Sequence, residues 1–85
     1  MPKRASPRRA QHAPHYKHVP VLLREMREAA GLTQRALGEK LKKPQSWIYN
    51  CEVFNRRVDV AEFCLWAHAC GVKPAEAVHK LWMII

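Results

Sequence analysis

The feature that most restricts the fold of this chain is a series of short helix-period runs separated by proline and glycine. Apolar residues recur three or four positions apart, as at Leu23, Met26 and Ala30. No segment of useful length alternates apolar and polar residues as a half-buried strand does, and no internal repeat is present. The pattern predicts an all-α chain of five short helices with tight connections.

Residues that start and end helices set the expected boundaries. Pro20 suits the first turn of the first helix, and Gly31 is suited to a left-handed C-cap at its end. The caps expected at the other boundaries are Thr33 for the second helix, Pro44 at the start of the third, an Asp59–Glu62 capping box on the fourth, Gly71 at its end, and Pro74 opening the fifth.

Positive charge is concentrated in two stretches of a chain whose formal net charge is +8. Residues 1–18 hold five bases, three prolines and no acid, so we expect a flexible basic arm there and a folded domain over residues 19–85. Residues 42–57 hold four bases and one acid, whereas residues 59–85 are close to neutral. This distribution favours a polyanionic partner over a uniformly solvated surface.

Several classes of protein are disfavoured by what the chain lacks. It has no apolar run near the ~18 residues of a membrane span and no apolar segment typical of a signal peptide, so we expect a cytoplasmic protein without membrane contact. Its three cysteines lack CxxC spacing and are expected to be reduced and packed. With no catalytic or metal-binding motif, we expect neither an enzyme nor a cofactor nor a metal.

The segment from Thr33 to Arg57 carries the functional signal. It predicts two short helices joined by a tight turn, the second with short polar side chains near its N-terminus. An α-helix fits the major groove of DNA, where Gln and Asn can pair with adenine, and flanking Lys and Arg can neutralise phosphates. Gln45, Ser46 and Asn50 are therefore candidates for contact with double-stranded DNA.

The same segment, with its surroundings, resembles the phage-repressor (Cro/cI, or Xre-type) helix-turn-helix family. The resemblance covers residues 19 to about 82 and implies a compact five-helix, lambda-repressor-like DNA-binding domain in which helices two and three read DNA. It is carried by Gly31-Leu32-Thr33-Gln34, Leu37-Gly38-Glu39-Lys40-Leu41, Gln45-Ser46-Trp47-Ile48, Glu52, Arg56-Arg57-Val58-Asp59 and Ala67-His68-Ala69-Cys70-Gly71-Val72.

The resemblance, together with the local chemistry, yields three sets of candidate site residues. An ion pair between Arg27 and Glu52 is implied between the first and third helices. The candidate base contacts are Gln45, Ser46, Trp47, Tyr49 and Asn50, although packing is an alternative role for Trp47. The candidate phosphate contacts are Gln34, Arg35, Lys43, Asn55, Arg56 and Arg57.

The chain departs from the family pattern at three positions. Lys42 stands where the turn usually has glycine, and Pro44 replaces the usual Ser or Thr cap of the third helix. Phe54 replaces the glycine after that helix, so Asn55 is the expected left-handed residue of the exit turn. These differences affect the turn geometry and leave the predicted fold unchanged.

We therefore expect a sequence-specific transcriptional regulator, a phage- or bacterial-type repressor that binds a short operator as a homodimer. The apolar residues at the C-terminal end either fold onto the core or form the dimer seam, for which the candidates are Val78, Leu81, Trp82 and Ile84. The alternative is a protein-interaction module of the same fold, an antitoxin-like subunit or coactivator, that uses the third helix or the apolar end to bind a protein.

Overall fold

The computed structural model describes residues 14–85, which form five helices and no strand. In chain order these are α1 (His18–Ala29), α2 (Gln34–Leu41), α3 (Gln45–Glu52), α4 (Val60–Ala69) and α5 (Pro74–Ile84). The predicted all-α, five-helix fold is confirmed. Most of the predicted basic arm, residues 1–13, lies outside the described residues.

Side chains cap the helices at positions expected from the sequence. The Thr33 hydroxyl accepts a hydrogen bond from the N–H of Ala36 at 3.0 Å, which satisfies a backbone donor at the start of α2. At the start of α4, Asp59 Oδ1 accepts from the Glu62 N–H at 2.7 Å and Glu62 Oε1 accepts from the Asp59 N–H at 2.9 Å. Pro44 occupies the N-cap of α3 without a side-chain bond, and Pro74 is the first residue of α5. The predicted capping box is therefore confirmed.

A single core joins all five helices around Trp66. This indole is fully buried and donates a hydrogen bond from Nε1 to the Leu23 carbonyl at 2.9 Å, which ties α4 to α1. Because a buried Trp N–H needs a partner, this bond satisfies the polar end of the ring without disturbing the apolar packing. The other side chains with at most 2% exposure are Pro20, Leu22, Leu23, Leu37, Ile48, Cys51, Ala67 and Ala77.

The packed domain begins earlier than the boundary at residue 19 predicted from the sequence. Tyr16 is only 9% exposed, and its hydroxyl accepts a hydrogen bond from the Val58 N–H at 2.9 Å. Burial raises the pKa of the Tyr16 hydroxyl. Composition alone assigned Tyr16 to the arm, because its partner lies 42 positions along the chain.

Within residues 14–85, two residues other than glycine adopt left-handed backbone conformations, and they bracket α3. Lys42 has φ 59° in the turn before it, and Phe54 has φ 72° after it. The Asn55 N–H donates to the Asn50 carbonyl at 3.0 Å, a bond that closes the end of α3 with Phe54 as the left-handed residue. The expectation that Asn55 takes this role is wrong, because closure of the turn requires the residue before it to be left-handed.

The turn between α2 and α3 depends on close backbone approach at Gly38. The Lys43 N–H donates to the Gly38 carbonyl at 2.8 Å. A Cβ atom added to Gly38 would lie 2.6 Å from the Lys43 carbonyl oxygen, which is closer than real side chains allow. Glycine inside α2 thus permits the short connection that sets α3 against α2.

Candidate nucleic-acid interface

Helix α3 is anchored by one side and exposes polar groups on the other. Ile48 and Cys51 are fully buried, whereas Gln45 and Ser46 are exposed and Tyr49 is 50% exposed. The helical period places the buried pair three residues apart on one face. Of the five residues predicted to contact bases, these three face solvent, while Trp47 and Asn50 are half-buried.

A chain of polar side chains connects the start of α3 to its end through the neighbouring helices. Gln45 Nε2 donates to Gln34 Oε1 at 3.3 Å, and Gln34 Nε2 donates to Glu52 Oε1 at 3.1 Å. Glu52 also accepts two bonds from Arg27, from Nε at 2.6 Å and from Nη2 at 3.0 Å. These contacts orient the amides of Gln34 and Gln45 side by side at the start of α2 and α3.

The Arg27–Glu52 pair is present and largely shielded from water. The two side chains are 11% and 2% exposed, and Arg27 Nη1 also donates to the Leu32 carbonyl at 2.8 Å. The hydrogen bonds to Glu52 raise the pKa of Arg27 above its already high ordinary value. Bidentate geometry with a carboxylate gives this pair directional bonding as well as charge attraction.

Basic side chains at both ends of α3 lie against aromatic rings. Lys43 Nζ and Arg56 Cζ lie over the ring of Trp47, at 5.1 and 5.2 Å from its centroid. Arg57 Cζ lies 4.7 Å from the centroid of Tyr16. Cations at these distances from a ring are attracted by its quadrupole. Three predicted phosphate contacts thus have defined positions around α3.

An open depression beside α3 brings several predicted site residues together. Asn55 Nδ2 donates to Asn50 Oδ1 at 3.3 Å, so the half-buried Asn50 side chain is joined to the exit loop. The depression is lined by Pro44, Ser46, Trp47, Asn50, Asn55, Arg56 and Arg57. Gln34, Gln45 and Arg35 lie outside this lining, Arg35 as an exposed residue of α2.

The predicted dimer residues are divided by the structure. Val78, Trp82 and Ile84 are exposed by 42%, 69% and 44%, whereas Leu81 is half-buried and packs against the core. Leu81 therefore contributes to the stability of its own domain through packing against the core. The exposed apolar surface also includes Met83 at 69%.

Sequence reasoning missed Tyr16 and Gly38 as residues that shape this surface. Tyr16 contacts both Arg57 and the Val58 backbone, and the available signal was an aromatic residue within a polar stretch. Gly38 sets the turn before α3, and the signal was a glycine inside a helical pattern. Each pattern indicates that the position is unusual, but neither predicts the distant contact that Tyr16 or Gly38 makes.

The remaining titratable groups of the described region form no further site. Burial raises the pKa of the Cys51 thiol to about 12 and that of Cys70 to about 11. Among residues 14–85, no three His, Cys, Asp or Glu side chains are grouped so that they could hold a metal ion. None of the helices in this part of the chain is long and apolar enough to cross a membrane.

Comparison with known proteins identifies the class to which this fold and surface belong. A family model described as a helix-turn-helix domain matches residues 21–79. A solved structure of an XRE-family like protein from Pseudomonas syringae pv. tomato str. DC3000 is 36% identical, with a TM-score of 0.79, covering 89% of this chain and 93% of that one. A search of curated protein sequences found no significant match.

The fold and the match over most of the chain define a helix-turn-helix protein, a class of DNA-binding regulators. Within that class, this chain belongs to the Xre-type helix-turn-helix family.

Proposed function

We propose that this protein is a sequence-specific transcriptional regulator, a repressor of phage or bacterial type, that reads double-stranded DNA by placing α3 in the major groove. The observation that carries the proposal is the exposed polar start of α3, with Gln45 and Ser46 outside and Ile48 and Cys51 fixed in the core. A helix anchored in this way presents short polar side chains to base edges with little freedom to rotate.

In this proposal the start of α2 and the segments before and after α3 supply phosphate contacts, and the exposed face of α3 supplies base contacts. Gln45, Ser46, Tyr49 and Asn50 face base edges. Gln34 is held beside Gln45 by their 3.3 Å hydrogen bond. From the start of α2 it contacts a phosphate of the DNA backbone next to the bases that α3 reads. The remaining phosphate contacts are Arg35, Lys43, Asn55, Arg56 and Arg57.

The protein acts by binding in this proposal, in the cytoplasm and without catalysis or a cofactor. A single α3 covers few base pairs, so a homodimer on a two-fold symmetric operator is the proposed binding unit. The exposed apolar side chains of Val78, Trp82 and Ile84 supply the surface for that dimer.

The function is tested by selecting bound sequences from a random pool of duplex DNA and then measuring variants on the selected site. Gln45→Ala should lose about 1–3 kcal/mol on that site and relax the preference at one base pair, because a bidentate contact to adenine is removed. Arg35→Ala is the matched control and should weaken all duplexes about equally. An unchanged preference in Gln45→Ala would reject base reading by this residue.

A protein-interaction module is the second candidate, in which the exposed Trp82 and Met83 contact a different protein instead of a second copy of this chain. An aromatic side chain 69% exposed at the end of α5 is typical of surfaces that bind another protein. Affinity for duplex DNA that falls steeply with salt would support the regulator, because counterion release accompanies phosphate binding. Absence of DNA binding at low salt would favour the protein-interaction module.

A further inference from the structure

Trp47 links the apolar core to the basic residues on both sides of α3. Its ring is half-buried and packs against the fully buried Trp66, with centroids 6.2 Å apart and planes inclined by 40°. The indole therefore has a defined orientation, set from inside the domain. Side chains that contact the outer part of the Trp47 ring are therefore also positioned relative to the core.

Two cations from opposite flanks of α3 meet at this ring. Lys43 precedes the helix and places Nζ 5.1 Å from the centroid, while Arg56 follows the helix and places Cζ at 5.2 Å. Arg56 is further restrained by an ion pair between Nη2 and Glu62 Oε2 at 3.3 Å. A guanidinium has five N–H donors, so one bond to Glu62 leaves donors for a second anion.

We infer that Trp47 is a positioning residue, which holds Lys43 from the segment before α3 and Arg56 from the segment after it so that both bind DNA phosphates. The inference rests on the proposed DNA-binding function and deepens it. Lys and Arg lose rotamer freedom when they bind, and a ring that holds them beforehand lowers that loss. Through Lys43 and Arg56, Trp47 thus strengthens binding to the phosphate backbone of any duplex. This role differs from the base contact that the sequence predicts for Trp47.

The charge arrangement fits a polyanionic strand in particular. Both cations lie against one ring, so two positive charges that repel each other share one part of the surface. The attraction of both cations to the ring, and of Arg56 to Glu62, offsets this repulsion in the free protein. A phosphate backbone, with negative charges repeated along it, neutralises both cations at once.

The geometry is tested first without DNA. Aromatic ring currents should shift the NMR signals of the Lys43 and Arg56 side-chain protons upfield in the wild-type protein. Trp47→Leu should remove these shifts, while Trp47→Phe should keep part of them because a ring remains. Unshifted signals in the wild type would overturn the placement, whatever the protein binds.

The role in binding is tested by a double-mutant cycle on selected and on random duplex DNA. Trp47→Leu should weaken both by the same factor, about five- to tenfold, and Trp47→Phe by less. In the Trp47→Leu background, Lys43→Ala and Arg56→Ala should each cost a smaller factor than in the wild type. Circular dichroism confirms that the compared variants are folded.

The outcomes separate this role from the proposed function. Fully additive losses would make Trp47 a packing residue and overturn its positioning role, even where Gln45 governs sequence preference. A changed preference at one base pair in Trp47→Leu would make it a base contact and overturn the role as well. A wild-type protein that binds no duplex DNA would refute the proposed function itself, and the positioning role with it.

Discussion

At the residue scale, the turn around α3 contains strain that glycine would not have. Lys42 and Phe54 both carry a side chain at positive φ, where Cβ approaches the following carbonyl. Phe54 is half-buried, so its packing offsets part of that cost, whereas Lys42 is exposed. The conformational cost at Lys42 is therefore the easier one to measure.

Replacing Lys42 by glycine should stabilise the domain. Removing Cβ at φ 59° relieves about 1 kcal/mol, which raises the melting temperature by ~4–8 °C in a domain of this size. Lys40→Gly is the matched control, because Lys40 lies in the last turn of α2, where glycine is unfavourable by up to about 1 kcal/mol. Thermal denaturation followed by circular dichroism should show opposite signs, and equal shifts would contradict the strain at Lys42.

Burial of the Cys51 thiol should make the stability of the domain depend on pH. Burial raises the pKa of Cys51 to about 12 in the folded state, from an ordinary value of 9.0 in the unfolded chain. Above pH 9 the unfolded chain loses the thiol proton first, so the stabilisation present below pH 9 decreases as pH rises. Urea denaturation at pH 8 and pH 10.5 should show the stability difference between wild type and Cys51→Ala narrowing by about 1–2 kcal/mol. A constant difference would contradict the raised pKa.

At the element scale, α3 is positioned by contacts with α1, α2 and α4. Gly38 permits the turn from α2, the Arg27–Glu52 pair connects α1 to the end of α3, and Trp47 rests on Trp66 of α4. Gln34 and Gln45 connect the same pair to the exposed start of α3. The orientation of α3 therefore depends on polar bonding as well as on apolar packing.

Breaking the Arg27–Glu52 pair should destabilise the domain strongly. Arg27→Met leaves the Glu52 carboxylate, whose side chain is 2% exposed, without its cation, at a cost of about 3–5 kcal/mol. Arg24→Met is the matched control and should cost under about 1 kcal/mol, since the Arg24–Glu28 pair is exposed. Chemical denaturation measures both, and a double-mutant cycle with Glu52→Gln should give clear coupling. Near-zero coupling would reject the pair as a stabilising contact.

At the scale of the whole molecule, apolar surface remains exposed at one end. Trp82, Met83, Ile84 and Ile85 lie 44–69% exposed along and after the last turn of α5. Contiguous apolar surface of this kind marks interaction sites in soluble proteins. The proposed two-fold dimer uses this surface, and reading two half-sites of an operator requires its two α3 helices to lie one DNA turn, ~34 Å, apart.

The double variant Trp82→Ser/Ile84→Ser should weaken both self-association and operator affinity. Because Trp82 and Ile84 are exposed by 69% and 44% and lie outside the core, the melting temperature of the monomer should change little. Sedimentation equilibrium, with and without operator DNA, measures the association, and Leu81→Ala is the contrasting variant that should reduce stability through the core. A wild type that stays monomeric at high concentration on DNA would refute the dimer.

Local sequence patterns were sufficient to predict the helices, their caps and the family. These patterns act within three or four residues, as in the apolar spacing, the Thr33 cap and the Asp59–Glu62 capping box. The sequence alone is therefore enough to predict them. Gln45 and Ser46 were likewise placed on the outer side of α3 because Ile48 and Cys51 define its inner side. The Arg27–Glu52 pair came from family resemblance, since 25 positions separate its partners.

Tertiary structure alone decided which distant residues meet. It put Tyr16 against Arg57 and the Val58 backbone, packed Leu81 into the core, and made Phe54 rather than Asn55 the left-handed residue. It also placed Lys43 and Arg56 on the ring of Trp47. These contacts depend on how the helices pack, because the relative positions of whole helices determine which side chains meet across the domain. Contacts between residues so far apart in the chain produce no short-range periodicity from which the sequence could predict them.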